Sequence, residues 1–216
     1  MSVTAQGVAK AAEILADHFT LVITNVPYLG RGKQDEVLRK HCDHAYPNAK
    51  ADLATCFVER CIGFCKSNGS ISLVTPQNWL FLTTYKNLRI HLFKTFCWNI
   101  VARLGARAFE TIGGEVVNVA LITLSYPKPS MEQAFTGIDV GDAQSPSEKN
   151  HLLSSGEITI LKQHEQLEHP DGRLILGLSM AGGLLSSLMT PNTGLQTGDN
   201  DHYAFFFWEL PQLISG

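Results

Sequence analysis

The chain has 216 residues, of which 44% are hydrophobic and 17% charged, which fits a soluble globular protein of one domain, or one and a half, with a sizeable core. No apolar run reaches the length of a membrane span. The net charge of −3 excludes a polyanion-binding surface spread over the whole chain, so any nucleic-acid contact has to use a local patch or a further region. Residues 5–18 place Val8, Ala11, Ala12 and Leu15 at helical spacing and predict an amphipathic helix. With a single lysine, the opening stretch reads as that helix and not as a signal peptide. Next, "FTLVIT" (19–24) is β-rich and almost wholly apolar, the pattern of a strand covered on both faces. It runs into Asn25-Val26-Pro27-Tyr28 and a turn at Gly30.

Residues 50–66 predict a second helix, capped by Asp52 and stopped by the turn Ser67-Asn68-Gly69. "SISLVT" (70–75) is a further buried strand. Residues 83–96 form an amphipathic pattern with Leu88, Leu92 and Phe96 on one face. Two more strands, 98–105 and 116–126, are joined by about ten residues rich in Gly and Glu. Strands alternating with helices imply an α/β fold with a mostly parallel sheet, and two strands in succession imply a terminal antiparallel hairpin at one edge. After Tyr126 the composition changes. Residues 127–150 are polar, hold three prolines and show no period, as in a linker or surface excursion. A second region is expected over 151–216.

The five cysteines, an odd count without a secretion signal, suggest reduced cytoplasmic thiols. Cys61 and Cys65 share one helix, but no CxxC or HxxxH pair supplies metal partners, so buried thiols and no metal are expected. No GxGxxG opens the chain, which disfavours a nucleotide-cofactor enzyme of Rossmann type.

Four stretches in order carry a resemblance to a known family. "TNVPYLG" resembles the Asn-Pro-Pro-Tyr motif of DNA adenine-N6 methyltransferases. Residues 51–81 resemble the helix, strand and segment that follow it, and "LGARAFETIGGEVVNVALITL" resembles the terminal hairpin with its base-packing loop. "GLQTGDND" resembles the entry into a target-recognition region. The closest likeness is to the large methyltransferases of type IIG restriction-modification and BREX phage-defence systems.

That resemblance implies a partial Rossmann-like methyltransferase sheet over 1–126, a linker over 127–150, and the start of a DNA target-recognition region over 151–216. It implies methyl transfer from S-adenosylmethionine to a flipped adenine in double-stranded DNA. The exocyclic N6 is a poor nucleophile because its lone pair is delocalised. The Asn25 amide oxygen and the Val26 carbonyl would each accept one N6–H bond and aim the lone pair at the donor, a matter of positioning and electrostatics. Pro27 would pre-set the loop. Tyr28 would stack on the extruded base, a contact worth about 1–3 kcal/mol, and Phe109 would pack from another side. Arg31, Lys33 and Arg39 are candidate phosphate contacts, and Thr197, Asp199 and Asn200 in the "LQTGDND" loop are candidate DNA contacts.

Plain readings stand beside these. Asn and Pro are common turn residues, Tyr28 and Phe109 fit simple packing, a short basic run fits a solvated face, and Trp79 reads as structural. Two departures from the family pattern matter. Val26 replaces a proline, which keeps the carbonyl but loses rigidity. Only 24 residues precede Asn25, so the glycine loop and acidic residue that make the main S-adenosylmethionine site are missing. The reading is therefore a fragment, inactive by itself, whose 19–24 strand is an apolar edge that calls for an N-terminal half or self-association. The alternative is a non-catalytic DNA-binding or assembly module that keeps the fold.

Overall fold

The computed structural model describes residues 4–109 and 117–177, so Thr197, Asp199 and Asn200 lie outside the described residues. Helix α1 (Ala5–Ala16) is capped by Thr4, whose hydroxyl accepts from Gly7 N at 3.3 Å, and none of its residues is buried. Strand β1 (Phe19–Asn25) follows, then helices α2 (Glu36–Ala45) and α3 (Leu53–Gly63). Strand β2 (Cys65–Pro76) leads through a short turn into α4 (Lys86–Thr95) and β3 (Cys97–Gly105). Strands β4 (Val119–Ser125) and β5 (Ala134–Asp139), helix α5 (Pro146–Ser155) and strand β6 (Thr159–Lys162) complete the described chain.

The six strands form one sheet in the order β1-β2-β4-β3-β5-β6. Strands β1, β2, β3 and β5 share one direction, and β4 and β6 oppose it. The α/β class and the antiparallel pairing of β3 with β4 match the sequence reading. The hairpin's place does not. Instead of closing an edge, β4 is wedged between β2 and β3, with Leu73 opposite Ile122 on one side and Val101 opposite Ile122 on the other.

Three further expectations change. The 19–24 strand is not covered on both faces. It is the edge of the described sheet, as the fragment reading expects, with Leu21 and Ile23 exposed by 55% and 69%. Ser67-Asn68-Gly69 does not separate helix from strand but lies inside β2. Phe19 pairs with Cys65 and Leu21 with Ser70, so the extra residues bulge, and a Cβ on Gly69 would meet the Phe19 and Thr20 carbonyl oxygens at 2.9 Å. The stretch 127–150 is not an unstructured linker. It supplies β5, which pairs in parallel with β3, and the first half of α5. The strand was hidden by its shortness and by Gly137, whose missing side chain makes room for Leu161 and Leu176.

Aromatic packing forms the centre of the core. Trp98 on β3 stacks on Phe93 of α4 with ring centroids 4.4 Å apart, and Trp79 and Phe135 flank it. Leu88, Leu92, Leu73 and Ile122 are all buried around them. Buried polar groups fasten the connections. Gln163, 1% exposed, accepts from Trp98 N and donates to the Phe93 and Phe96 carbonyls. Arg89 donates to the carbonyls of Trp79, Leu82, Asp171 and Gly172, and burial pushes its guanidinium down to about 10. The Lys149 ammonium, also buried, donates to Leu104 O at 2.7 Å and Ala143 O at 2.6 Å. Each group fills backbone acceptors that would otherwise be buried and empty.

Gln163→Leu removes partners from three backbone groups at once. It is expected to lower stability by about 2–4 kcal/mol in urea unfolding, and a loss below about 0.5 kcal/mol would contradict this account.

Candidate functional site

The carboxyl ends of β1 and β2 lie side by side, because the two strands run parallel with Asn25 opposite Val74. Open α/β sheets bind ligands at such ends. The chain leaving β1 is held down at once. Val26 N donates to Val74 O at 3.3 Å, and the Val26 side chain is buried at 3% exposure. Asn25 and Pro27 on either side are exposed.

A second strip of contacts fastens residues 29–31 to the start of α3. Leu53 N donates to Leu29 O at 3.0 Å, Arg31 N donates to Ala51 O at 3.0 Å, and Gly30 bridges Asp52. The Asp52 carboxylate caps α3, as its sequence position suggests. One oxygen, Oδ1, accepts from Ala54 N at 2.8 Å and from Leu29 N at 3.3 Å. Beneath the loop Gln34, 3% exposed, donates to Leu29 O, and Arg39 donates to Gln34 O. Arg39 thus supports the loop's underside. The helix that carries it, α2, was not anticipated. Its Asp35 cap, with the carboxylate accepting from Leu38 N at 2.8 Å, was the available signal.

This strapped loop forms one wall of a cavity of about 460 Å³, within the range of small-ligand sites. Tyr28, Arg31, Lys33 and Asp52 come from the loop and the α3 cap, and Pro76, Asn78 and Val117 from the ends of the neighbouring strands. Tyr28 is half-buried and its hydroxyl has no hydrogen-bond partner among the described residues. Burial, and then the negative charge of Asp52, push its phenol up to about 12, so it is neutral at physiological pH. Arg31 is paired with Asp43 at 2.8 Å, and that hydrogen bond holds the Asp43 carboxyl below its usual range.

The structure therefore gathers Tyr28, Arg31 and Lys33 around one hollow. Asn25 and Phe109 are not among the residues that line it, and Phe109 is 37% exposed at the edge of the undescribed stretch. Trp79 is structural, fully buried and donating to Thr75 Oγ1 at 3.0 Å. Asn78 and Asp52 are lining residues that sequence reasoning did not place there. For Asn78 the sign was available, since "TPQN" repeats the amide-near-proline pattern at a strand end that drew attention to Asn25. Cys61 and Cys65 are buried free thiols, and burial raises both, Cys61 to about 11. Among the described residues no three His, Cys, Asp or Glu side chains cluster as metal ligands, and no helix is long and apolar enough to cross a membrane.

Comparison with known proteins gives similarities over part of the chain. Residues 5–109 match the model of the Eco57I restriction-modification methylase. The chain is 37% identical over 121 residues to the adenine-specific methyltransferase PglX of Lacticaseibacillus casei (strain Zhang), which covers 55% of this chain and 10% of that protein. It is 37% identical over 108 residues to the adenine-specific methyltransferase BrxX of Escherichia coli O9:H4 (strain HS), covering 50% of this chain and 9% of that one. The chain thus spans about a tenth of the length of these relatives. The fold matches a nuclease-deletion mutant of the type ISP restriction-modification enzyme LlaGI in complex with a DNA substrate mimic. There the TM-score is 0.59 at 18% identity, over 79% of this chain and 19% of that one. It also matches the DrdV–DNA complex with a TM-score of 0.58 at 18% identity, over 77% and 20% of the respective chains.

Asp52→Ala is expected to speed hydrogen exchange at the Leu29 and Ala54 amides together and to lower stability by about 1–2 kcal/mol. Asp52→Asn, which keeps an accepting oxygen, should stay close to wild type. Unchanged exchange at Leu29 in Asp52→Ala would show that the carboxylate does not hold the loop.

Proposed function

We propose that this chain, whose residues 5–109 match the Eco57I restriction-modification methylase model, is the target-base half of a DNA adenine-N6 methyltransferase of restriction or phage defence, acting in the cytoplasm. The observation that carries the proposal is the Tyr28-walled cavity at the strand ends, directly after the Asn-Val-Pro-Tyr sequence.

In this reading double-stranded DNA presents an adenine extruded from its stack. The base enters the hollow and Tyr28, already fixed by the strap to α3, offers its ring as a stacking face. A neutral phenol suits this role, because no charge has to be desolvated when the base arrives. The Asn25 amide oxygen and the Val26 carbonyl accept the two N6–H bonds and draw the nitrogen lone pair out of conjugation. Pro27 restricts the loop that follows them. Phe109 closes on the base from the other side, and Arg31 and Lys33 at the rim suit a phosphate of the flipped nucleotide.

The methyl donor of such enzymes, S-adenosylmethionine, supplies the methyl group for N6. The cavity's residues do not fit it: a rim of Arg31 and Lys33 opposes a sulfonium cation, and Asp52 uses Oδ1 to hold the backbone. The donor site then falls to further polypeptide beside β1. The exposed apolar edge with Leu21 and Ile23 supports pairing there, with a preceding half of the enzyme or with a second copy. The start of a target-recognition region is assigned to residues 151–216, with Thr197, Asp199 and Asn200 as its candidate DNA contacts. Light scattering at high concentration tests the edge directly, and a monodisperse monomer would argue against self-association.

One observation favours a second reading. Val26 stands where the resembled motif has proline, which suits a non-catalytic DNA-binding module. The two readings separate when the chain is combined with a donor-binding N-terminal portion of a PglX-type relative. Labelled methyl should then enter DNA adenine, with Asn25→Ala lowering the rate about a hundredfold and Tyr28→Ala about tenfold. DNA retention without any methyl uptake would move the assignment to the binding module.

A further inference from the structure

A second cavity, of about 230 Å³, lies at the other end of the sheet. β3 and β5 begin there and β4 and β6 end there, whereas Pro76 and Val117 of the first cavity lie beside the start of β4. With nine residues in β3 at about 3.3 Å each, roughly 30 Å of strand separates the two. Its walls are the end of α4, the loop 128–131 after β4 and the turn 163–167 after β6. That loop is pinned on both sides. Pro127 O accepts from Cys97 Sγ at 3.1 Å, Ser130 O accepts from Gln133 N at 3.2 Å, and Gln133 O accepts from Gln163 N at 2.8 Å. The cavity is therefore formed before anything enters it.

Its lining has an apolar part and a charged part. Phe93, buried against Trp98, and half-buried Leu167 give an apolar surface, and Met131, 70% exposed, adds a flexible one. The exposed Lys94 and Lys128 supply the charge. Neither has an ion-pair partner among the described residues, and Glu132, Glu165 and Glu168 of the neighbouring turns do not line the cavity. The Gln163 amide is spent on Trp98, Phe93 and Phe96. His164 also lines the cavity, and its buried Nδ1 has no hydrogen-bond partner among the described residues, so no bond at that atom fixes the ring as a group enters.

Size and charge together select the occupant. A site that encloses a whole small ligand holds about 300–1,000 Å³. At about 230 Å³ this one encloses a single side chain and leaves the rest of the ligand outside, beside the two ammonium groups. An acidic polypeptide meets both demands. The phosphate backbone of duplex DNA meets only the charge, because its apolar faces are stacked inside the helix. We propose that this cavity is a docking site for an acidic polypeptide segment, anchored by one aromatic or aliphatic side chain against Phe93 and Leu167, with flanking carboxylates on Lys94 and Lys128. The proposal is independent of the base-site reading, and a segment bound here leaves the Tyr28 cavity clear.

The full chain, with labelled methionine methyls, is titrated with the blocked peptide Asp-Glu-Phe-Glu-Asp, and the Met131 methyl resonance is followed by NMR. A saturable shift at millimolar concentration is expected. The same peptide with alanine for phenylalanine should bind about tenfold more weakly, since the anchor is lost. Lysine in place of every acid should abolish the shift. Lys94→Gln combined with Lys128→Gln should weaken binding about fivefold, and added salt should remove most of that difference. Both lysines are exposed, so the double variant keeps the wild-type packing, and a matching melting curve checks this. The absence of a saturable shift would overturn the proposal, as would equal binding of the alanine peptide or an unchanged affinity in the double variant. A short DNA duplex that shifts Met131 at lower concentration than the peptide would give the site to nucleic acid instead.

Discussion

The strap between residues 29–31 and 51–53 is the constraint on which the site depends. A loop leaving the end of an edge strand is normally the least restrained part of a sheet. Here main-chain bonds from Leu53 and Arg31, the Gly30–Asp52 bridge and the shared Asp52 oxygen fix it to a helix start. The order this imposes is created on folding and not on ligand binding, so the Tyr28 ring is already in place before any ligand arrives. A single carboxylate serves two elements at little extra entropic cost, because capping α3 has already immobilised it.

The second determinant is the wedge of β4 between β2 and β3. With β4 running against its neighbours, Val119 sits opposite Pro76 and Gly105, so the entry to β4 lies beside the exits of β2 and β3. That is how Val117 and Asn78, 39 positions apart in the chain, come to line one cavity. The buried polar groups hold the other joints. Gln163 fixes α4 and β3 to the segment after β6, Arg89 fixes the turn after β2 to residues 171 and 172, and Lys149 fixes the end of β3 to the loop after β5. All three act on backbone carbonyls or amides, so they lock connections that apolar packing alone leaves loosely specified.

Much of this was legible along the chain. Asp52 as a helix cap, the apolar runs of β2 and β4, the amphipathic α4 and the Asn-Val-Pro-Tyr strand ending are local signals, each carried by a few consecutive residues with a physical reason for being there. β5 was not legible. Its Gly137 lowers strand propensity and is explained only by the closeness of Leu161 and Leu176, two residues remote in sequence. Nor could the Gly69 bulge be told from a helix-ending turn, since both call for the same small and polar residues. The site divides along the same line. Tyr28 was identified from its neighbours in sequence, while Asn78 gained its position through a strand pairing.

Periodicity, capping residues and the motif after β1 therefore determined the α/β class, the sequence of most of the elements and the stretch that builds the cavity wall. Local backbone preference and amphipathic spacing are properties of short segments and survive in one dimension. The tertiary structure alone decided that the hairpin is internal, and which amide lines the hollow. These depend on which strands pair and in what direction, and that choice is made by burial and hydrogen bonding summed over residues far apart in the chain.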